Sequence, residues 1–141
     1  MSLDIEKLMT ALDNEDNAPI LELDYNKLAA VKNNMLQQLQ LPKEELKAMH
    51  KKLKMYRYVD ELPDLQYGAY IRWIPLKNPA SIKLTNGGFI CDIKIKDDGM
   101  NIMCKNGMNR LFQLKHAENM IFQKLTEQEQ VILSAMNYLN K

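Results

Sequence analysis

Phe89-Ile90-Cys91-Asp92-Ile93-Lys94-Ile95-Lys96-Asp97-Asp98-Gly99 decides how this chain folds, because its apolar residues recur at every second position and then stop at a turn. A period of two marks a strand with one face on a core. Alternation puts Phe89, Cys91, Ile93 and Ile95 on one face and Ile90, Asp92, Lys94 and Lys96 on the other. Asp97-Asp98-Gly99 turns the chain and Asn101-Ile102-Met103-Cys104-Lys105 returns, so residues 89–105 read as a β-hairpin. The two cysteines, Cys91 and Cys104, fall on opposite arms and are expected side by side as small buried hydrophobes.

Outward from the hairpin the same grammar repeats. Tyr70-Ile71-Arg72-Trp73-Ile74 opens a strand, Ser81-Ile82-Lys83-Leu84 can add a short one, and Asn86-Gly87-Gly88 offers residues tolerant of positive φ. After Asn106-Gly107-Met108-Asn109, Arg110-Leu111-Phe112-Gln113-Leu114-Lys115 and Met120-Ile121-Phe122-Gln123-Lys124 complete the series. Five short antiparallel strands meandering through tight turns would leave two bare edges as a flat sheet, and curling removes most of that problem. The expected architecture is therefore α+β, with a small five-stranded antiparallel β-barrel of Tudor-like shape. Thr126 with Glu129 forms a capping box ahead of Val131, Ile132, Ala135, Met136 and Leu139, which predicts a C-terminal helix.

Before residue 60 the period is helical. Ile5, Leu8, Met9 and Leu12 follow Ser2, a good N-cap residue, and residues 13–19 read as a loop or mobile linker. Helix returns after Asp24 with Leu28, Val31, Met35, Leu36 and Leu39 as its stripe. Pro42 suits the first turn of another helix, whose face continues through Leu46, Met49, Leu53 and Tyr56. The expected organisation is a helical region over residues 1–60, containing a helical hairpin, and a barrel with its closing helix over residues 61–141.

Length and composition bound what such a chain can do. At 141 residues, 46% hydrophobic and 26% charged, it suits one ordinary globular domain and is too short for two catalytic lobes. No run of 18 apolar residues exists, and the acidic, alternating start differs from a secretory signal, so no membrane insertion and a reducing, intracellular setting are expected. No metal or cofactor motif is present. His50 and His116 have no serine or cysteine nucleophile in a recognisable turn beside them, Asp97-Asp98 reads as turn chemistry, and no catalytic residue is assigned. A non-enzymatic role follows as the expectation.

Two groups of residues suit recognition. The net charge of +1 hides a basic segment at residues 42–58, where Lys43, Lys47, Lys51, Lys52, Lys54 and Arg57 face only Glu44 and Glu45. Clustered cations suit phosphates, or an acidic protein surface. On the strand at 70–74, Ile71 and Trp73 share one face, with Trp73 expected in the core, while Tyr70 and Arg72 share the other. Tyrosine and arginine are favoured at interface hot spots, although Arg72 could instead pair with Asp92 or Asp64. Amphipathic helices over residues 25–58 present more apolar stripe than so small a barrel covers, which points to other protein chains or a homo-oligomer as partners.

The series Gly68-x-x-Ile71-Arg72-Trp73, Leu84-x-x-Gly87-Gly88-Phe89, Ile102-x-x-Lys105-Asn106, Phe112-x-Leu114 and Ile121-Phe122-x-Lys124 resembles the strand grammar of small β-barrel virion proteins of nucleocytoplasmic large DNA viruses. The resemblance spans about residues 67–125. It implies a viral source, a place in the virion or host cytoplasm, and a structural or adaptor role such as a minor capsid or capsid-associated protein with capsid neighbours. It transfers no catalytic residue. The alternative function is a nucleic-acid-binding protein that uses the basic helix for phosphates and Tyr70 with Arg72 for bases.

Overall fold

A computed structural model describes residues 4–61 and 64–139. Helix α1 (Ile5–Asp13) begins at Asp4, whose carboxylate accepts the Lys7 N–H at 3.1 Å; Ser2, the expected cap, lies outside the described residues. Helix α2 (Tyr25–Gln37) is capped by Asp24, which accepts the Lys27 N–H at 2.8 Å, and α3 (Lys43–Lys52) follows Pro42. Six strands come next: β1 (Tyr56–Val59), β2 (Tyr70–Pro75), β3 (Gly88–Lys96), β4 (Gly99–Lys105), β5 (Leu111–Lys115) and β6 (Asn119–Lys124). Helix α4 (Glu127–Leu139) closes the chain, with the expected capping box made in both directions at 2.9 and 3.0 Å between Thr126 and Glu129.

The strands form one open antiparallel sheet in the order β1-β6-β2-β3-β4-β5, which corrects the expected five-stranded barrel. The reason lies in β6. A ring would require β5 to bond to β6, but β6 already pairs with β2 on one side and with β1 on the other, so it has no free edge. The strand that takes the closing position, β1, was read as helix because Leu53 and Tyr56 continue the spacing of Leu46 and Met49; α3 stops at Lys52 and Leu53 is its C-cap. The open sheet is nevertheless strongly cupped. Val59, Ile71, Trp73, Ile90, Ile102, Cys104, Leu114 and Ile121 come from all six strands and meet in one core cluster together with Leu65.

A bulge in β3 sets which side chains reach that core. Ile90 pairs with Cys104 and Asp92 with Met103, so Cys91 is an extra residue and the alternation slips by one. The face expected to be buried therefore splits: Phe89 is 50% exposed, whereas Ile90 is buried and Ile93 packs on the core from beyond the bulge; Ile95 shares the side of Ile93 but lies at the hairpin end, 74% exposed. The cysteines separate for the same reason, Cys91 exposed and Cys104 buried. Residues 81–84 form no strand, although Ile82 and Leu84 pack against the sheet and the Thr85 N–H donates to the Trp73 carbonyl at 3.0 Å.

On the outer side of β6 and β2, Phe122, Met120 and Ile74 are covered by Leu36 of α2, Met49 of α3 and Leu53, so the two helices share one cluster. A third cluster joins Ala11, Ile20, Leu28, Ile132 and Leu133, tying α1 and α2 to α4. The expected linker at 13–19 belongs to it. Residues Glu15–Ile20 make a 3-10 helix, and the buried Asn17 amide donates to the Ala11 carbonyl at 2.7 Å and to Gln128 Oε1 at 3.1 Å. None of the described helices is long and apolar enough to cross a membrane.

Candidate functional site

The basic segment divides once it folds. Lys43, Lys47, Lys51, Lys52 and Lys54 are exposed on α3 and just after it. Arg57 leaves the expected patch: it sits in β1 with 3% exposure, its Nε 3.3 Å from Glu129 Oε2 and its terminal nitrogen donating to the Asp64 carbonyl at 3.2 Å. A buried guanidinium opposite a buried carboxylate is a structural cation and has no surface to offer a ligand. Lys32 is a second buried cation. Its Nζ donates to the carbonyls of Leu53 at 2.8 Å and Tyr56 at 3.0 Å, clamping α2 onto the α3–β1 junction, while burial pushes its pKa down. The stripe of α2 is thereby rotated from the expected one, since Val31 is 44% exposed.

The expected recognition pair is on the outer face, where the register builds a row around it. Tyr56 lies opposite Lys124, Tyr70 opposite Phe89, and Phe89 opposite Lys105; one step beyond the Ile71–Gln123 pair, Lys124 flanks Tyr70. Directly opposed residues share a face. The result is Tyr56, Lys124, Tyr70, Phe89 and Lys105 side by side, two cations among three rings, with Tyr56 at the margin of the cluster that α2 and α3 cover. Tyr70 and Phe89 meet edge to face with centroids 4.9 Å apart. Arg72, on the same side, is oriented by Nε donating to the Thr85 carbonyl at 2.8 Å, and pairs with neither Asp92 nor Asp64. Tyr56 belongs to the same electrostatic neighbourhood: burial raises its phenol pKa, and the Arg72 charge pulls the other way.

Where this row meets the sheet's open end there is a cavity of about 490 Å³, within the usual range for ligand pockets. Its lining includes Tyr70 from the outer face, Trp73 and Phe112 from the core side, the loop Thr85-Asn86-Gly87 and the turn Asn106-Gly107-Met108. The loop is held close. The Tyr70 hydroxyl donates to the Asn86 carbonyl at 2.6 Å, the Trp73 N–H donates to Thr85 Oγ1 at 3.1 Å, and Gly87 has φ +93°, where a Cβ would collide with the Ile71 carbonyl oxygen. Trp73 packs into the core as expected, 8% exposed, and stands edge to face with Phe112 at 6.3 Å. No carboxylate, imidazole, thiol or amine lines the cavity.

Possible chemistry elsewhere is sparse. His50 is on α3 and His116 is in the 3-10 turn after β5, far apart in the fold order and both outside the cavity. Among the described residues no group of three His, Cys, Asp or Glu side chains is placed to hold a metal ion. Burial, and more weakly the neighbouring Cys91, raises the Cys104 thiol to about 12, which keeps it protonated. Asp98 instead serves the hairpin tip: a hydrogen bond from Lys115, with the ion pair at 3.1 Å, holds its carboxyl below the usual range.

Tyr70, Arg72 and the α3 lysines are the sequence's own candidates; the structure places Phe89, Lys105 and Lys124 in the row beside Tyr70, and Asn86, Asn106, Met108 and Phe112 around the cavity. Phe89 was assigned to the wrong face because a bulge leaves no mark in an alternating pattern. A signal for the cations was present: residues 65–91 and 99–117 contain no acidic side chain, while Arg72, Lys77, Lys83, Lys105, Arg110 and Lys115 lie within them. Compared with protein families, with curated proteins and with solved structures, the chain shows no match.

Proposed function

We propose that this chain is a non-enzymatic adaptor that holds other chains through prepared surfaces, in the setting its strand grammar implies, a viral particle in which it is a minor capsid or capsid-associated component in the virion or host cytoplasm. The observation that supports a binding role is the cavity itself, a recess lined by Tyr70, Trp73 and Phe112 among others with no carboxylate, imidazole, thiol or amine in its lining. A protein-facing surface is available separately on α1, where Ile5, Met9 and Leu12 are 65%, 54% and 43% exposed at spacings of four and three residues. Such a stripe is what an amphipathic helix presents to a partner. Crosslinking mass spectrometry of the native complex tests the reading: crosslinks from Lys7 to other chains, lost in Met9→Glu, are expected. A chain that stays monomeric without crosslinks at high concentration, or turnover of a substrate abolished by one polar substitution, overturns it.

Nucleic-acid binding is the second reading, and the row of three rings and two cations with the exposed α3 lysines favours it. Each phosphate neutralised releases counterions, so affinity should fall steeply with salt. Lys51→Ala and Lys52→Ala should each reduce the slope of log affinity against log salt by about one. A slope unchanged by both substitutions removes α3 from the contact.

A further inference from the structure

We infer that the cavity between Tyr70, Trp73 and Phe112 receives one base of a single-stranded nucleic acid whose phosphates run over Arg72, Lys105 and Arg110. This rests on the nucleic-acid reading above and adds a specific pocket to it. Ring-walled recesses accept either a flat aromatic group by stacking or a methylated ammonium by cation–π attraction. Charge decides between them here. Lys105 and Arg110 flank the 106–109 turn at the mouth, Arg72 is fixed beside the 85–87 loop, and neither segment contributes an acid. An ammonium ligand would enter among like charges with no carboxylate to meet it, whereas a nucleotide brings its own negative charge to the rim and leaves a neutral ring for the interior.

The polar groups at the mouth fit a base edge. Asn106 Oδ1 is occupied by the N–H groups of Met108 at 2.9 Å and Arg110 at 3.0 Å, which leaves its NH2 to donate. Thr85 Oγ1 accepts from the Trp73 N–H and keeps its own hydrogen. The Asn86 amide makes no hydrogen bond among the described residues, and its backbone is pinned through the Tyr70 hydroxyl. Together they offer donors to the carbonyl oxygens and ring nitrogens of a base, with one amide able to accept as well. Unpaired bases are the form in which both face and edge are accessible, which is why the ligand is single-stranded.

Trp73 is the one tryptophan in the chain, so its emission reports on this cavity directly. The experiment titrates the full chain at low salt with a short oligothymidylate, with an abasic phosphate–sugar oligomer of equal length, and with a trimethyl-lysine peptide. The inference expects quenching by the oligothymidylate and affinity about tenfold above the abasic oligomer, the gain from stacking one base. Asn86→Ala and Met108→Ala, both on exposed residues, should erase that gain and leave binding of the abasic oligomer intact. Equal affinity for the two oligomers without quenching overturns the base pocket while the nucleic-acid reading survives. Binding of neither oligomer overturns both, and quenching by the peptide alone assigns the cavity to a methylated cation and overturns the inference.

Discussion

Replacing Arg57 by methionine should cost this protein a large part of its stability, although the sequence alone would place that arginine on a solvated basic helix. Its guanidinium is 3% exposed and Glu129 is 1% exposed; Arg57 Nε and Glu129 Oε2 stand 3.3 Å apart, and neither atom makes a hydrogen bond. Arg57→Met leaves the Glu129 carboxylate buried without a counter-charge, and Glu129→Leu strands the guanidinium, each at about 3–5 kcal/mol. Glu129→Leu also breaks the reciprocal cap with Thr126, a further ~1 kcal/mol. The double variant removes both charges together, so its cost should shrink to the cap and the bond to the Asp64 carbonyl, about 2 kcal/mol. The double-mutant cycle should therefore show a coupling of several kcal/mol. Urea unfolding followed through Trp73 emission measures it, and at about 2 kcal/mol/M for a chain of this size each single variant should lower the midpoint by roughly 2 M. A midpoint shift below about 0.5 M for Arg57→Met, or additive costs in the double variant, would refute the assignment of this pair as a buried, mutually dependent junction between β1 and α4.

Three further outcomes are expected. Lys32→Met should destabilise by about 2–3 kcal/mol by leaving the Leu53 and Tyr56 carbonyls without their donor. Because burial lowers the Lys32 pKa below its unfolded value, the unfolded chain holds more protons as pH approaches 10.5, so the stability this group contributes rises with pH in that window; wild type should gain on Lys32→Met as pH rises toward 10.5, and parallel curves would contradict the burial. Iodoacetamide at pH 8 should alkylate the exposed Cys91 in the folded protein and spare Cys104, whose thiol is buried and raised to about 12, until denaturant is added; equal labelling by mass spectrometry would exclude that environment. Gly87→Ala should cost ~2 kcal/mol or more and lose the cavity's loop geometry, since its φ is +93° and the added methyl meets the Ile71 carbonyl; an unchanged unfolding midpoint would show that the loop adapts freely.

What the sequence made legible was whatever a local pattern could carry. Asp24 ahead of α2, the Thr126–Glu129 box and the turn at Asp97-Asp98-Gly99 are decided within a few residues and are found where their chemistry predicts, while Pro42, expected in the first turn of α3, caps it one residue earlier. Partner choice between distant strands is not local. Tyr56 continues a helical stripe on paper, yet Tyr56-Arg57-Tyr58-Val59 becomes strand by pairing along the side of β6 that β2 does not occupy. The same holds for Arg57 and Lys32, whose burial depends on Glu129 and on the Leu53 and Tyr56 carbonyls, partners that no spacing rule brings near them. Of the candidate site, the shared face of Tyr70 and Arg72 followed from alternation alone, whereas Phe112, Asn86 and Met108 come to one cavity with Tyr70 only through the tertiary fold.

The surplus residue at Cys91 gives β3 a property that substitution experiments would miss. Since Ile90 already faces Cys104 and Asp92 already faces Met103, excising position 91 would leave a ladder in uninterrupted step with every remaining side chain on its present side. Shortening a strand usually scrambles inside and outside, but here it would regularise the hydrogen bonding and take away the local twist that a bulge supplies. The curvature that brings Leu114 of one edge and Val59 of the other into one cluster would thereby lose a contribution made by a single exposed residue.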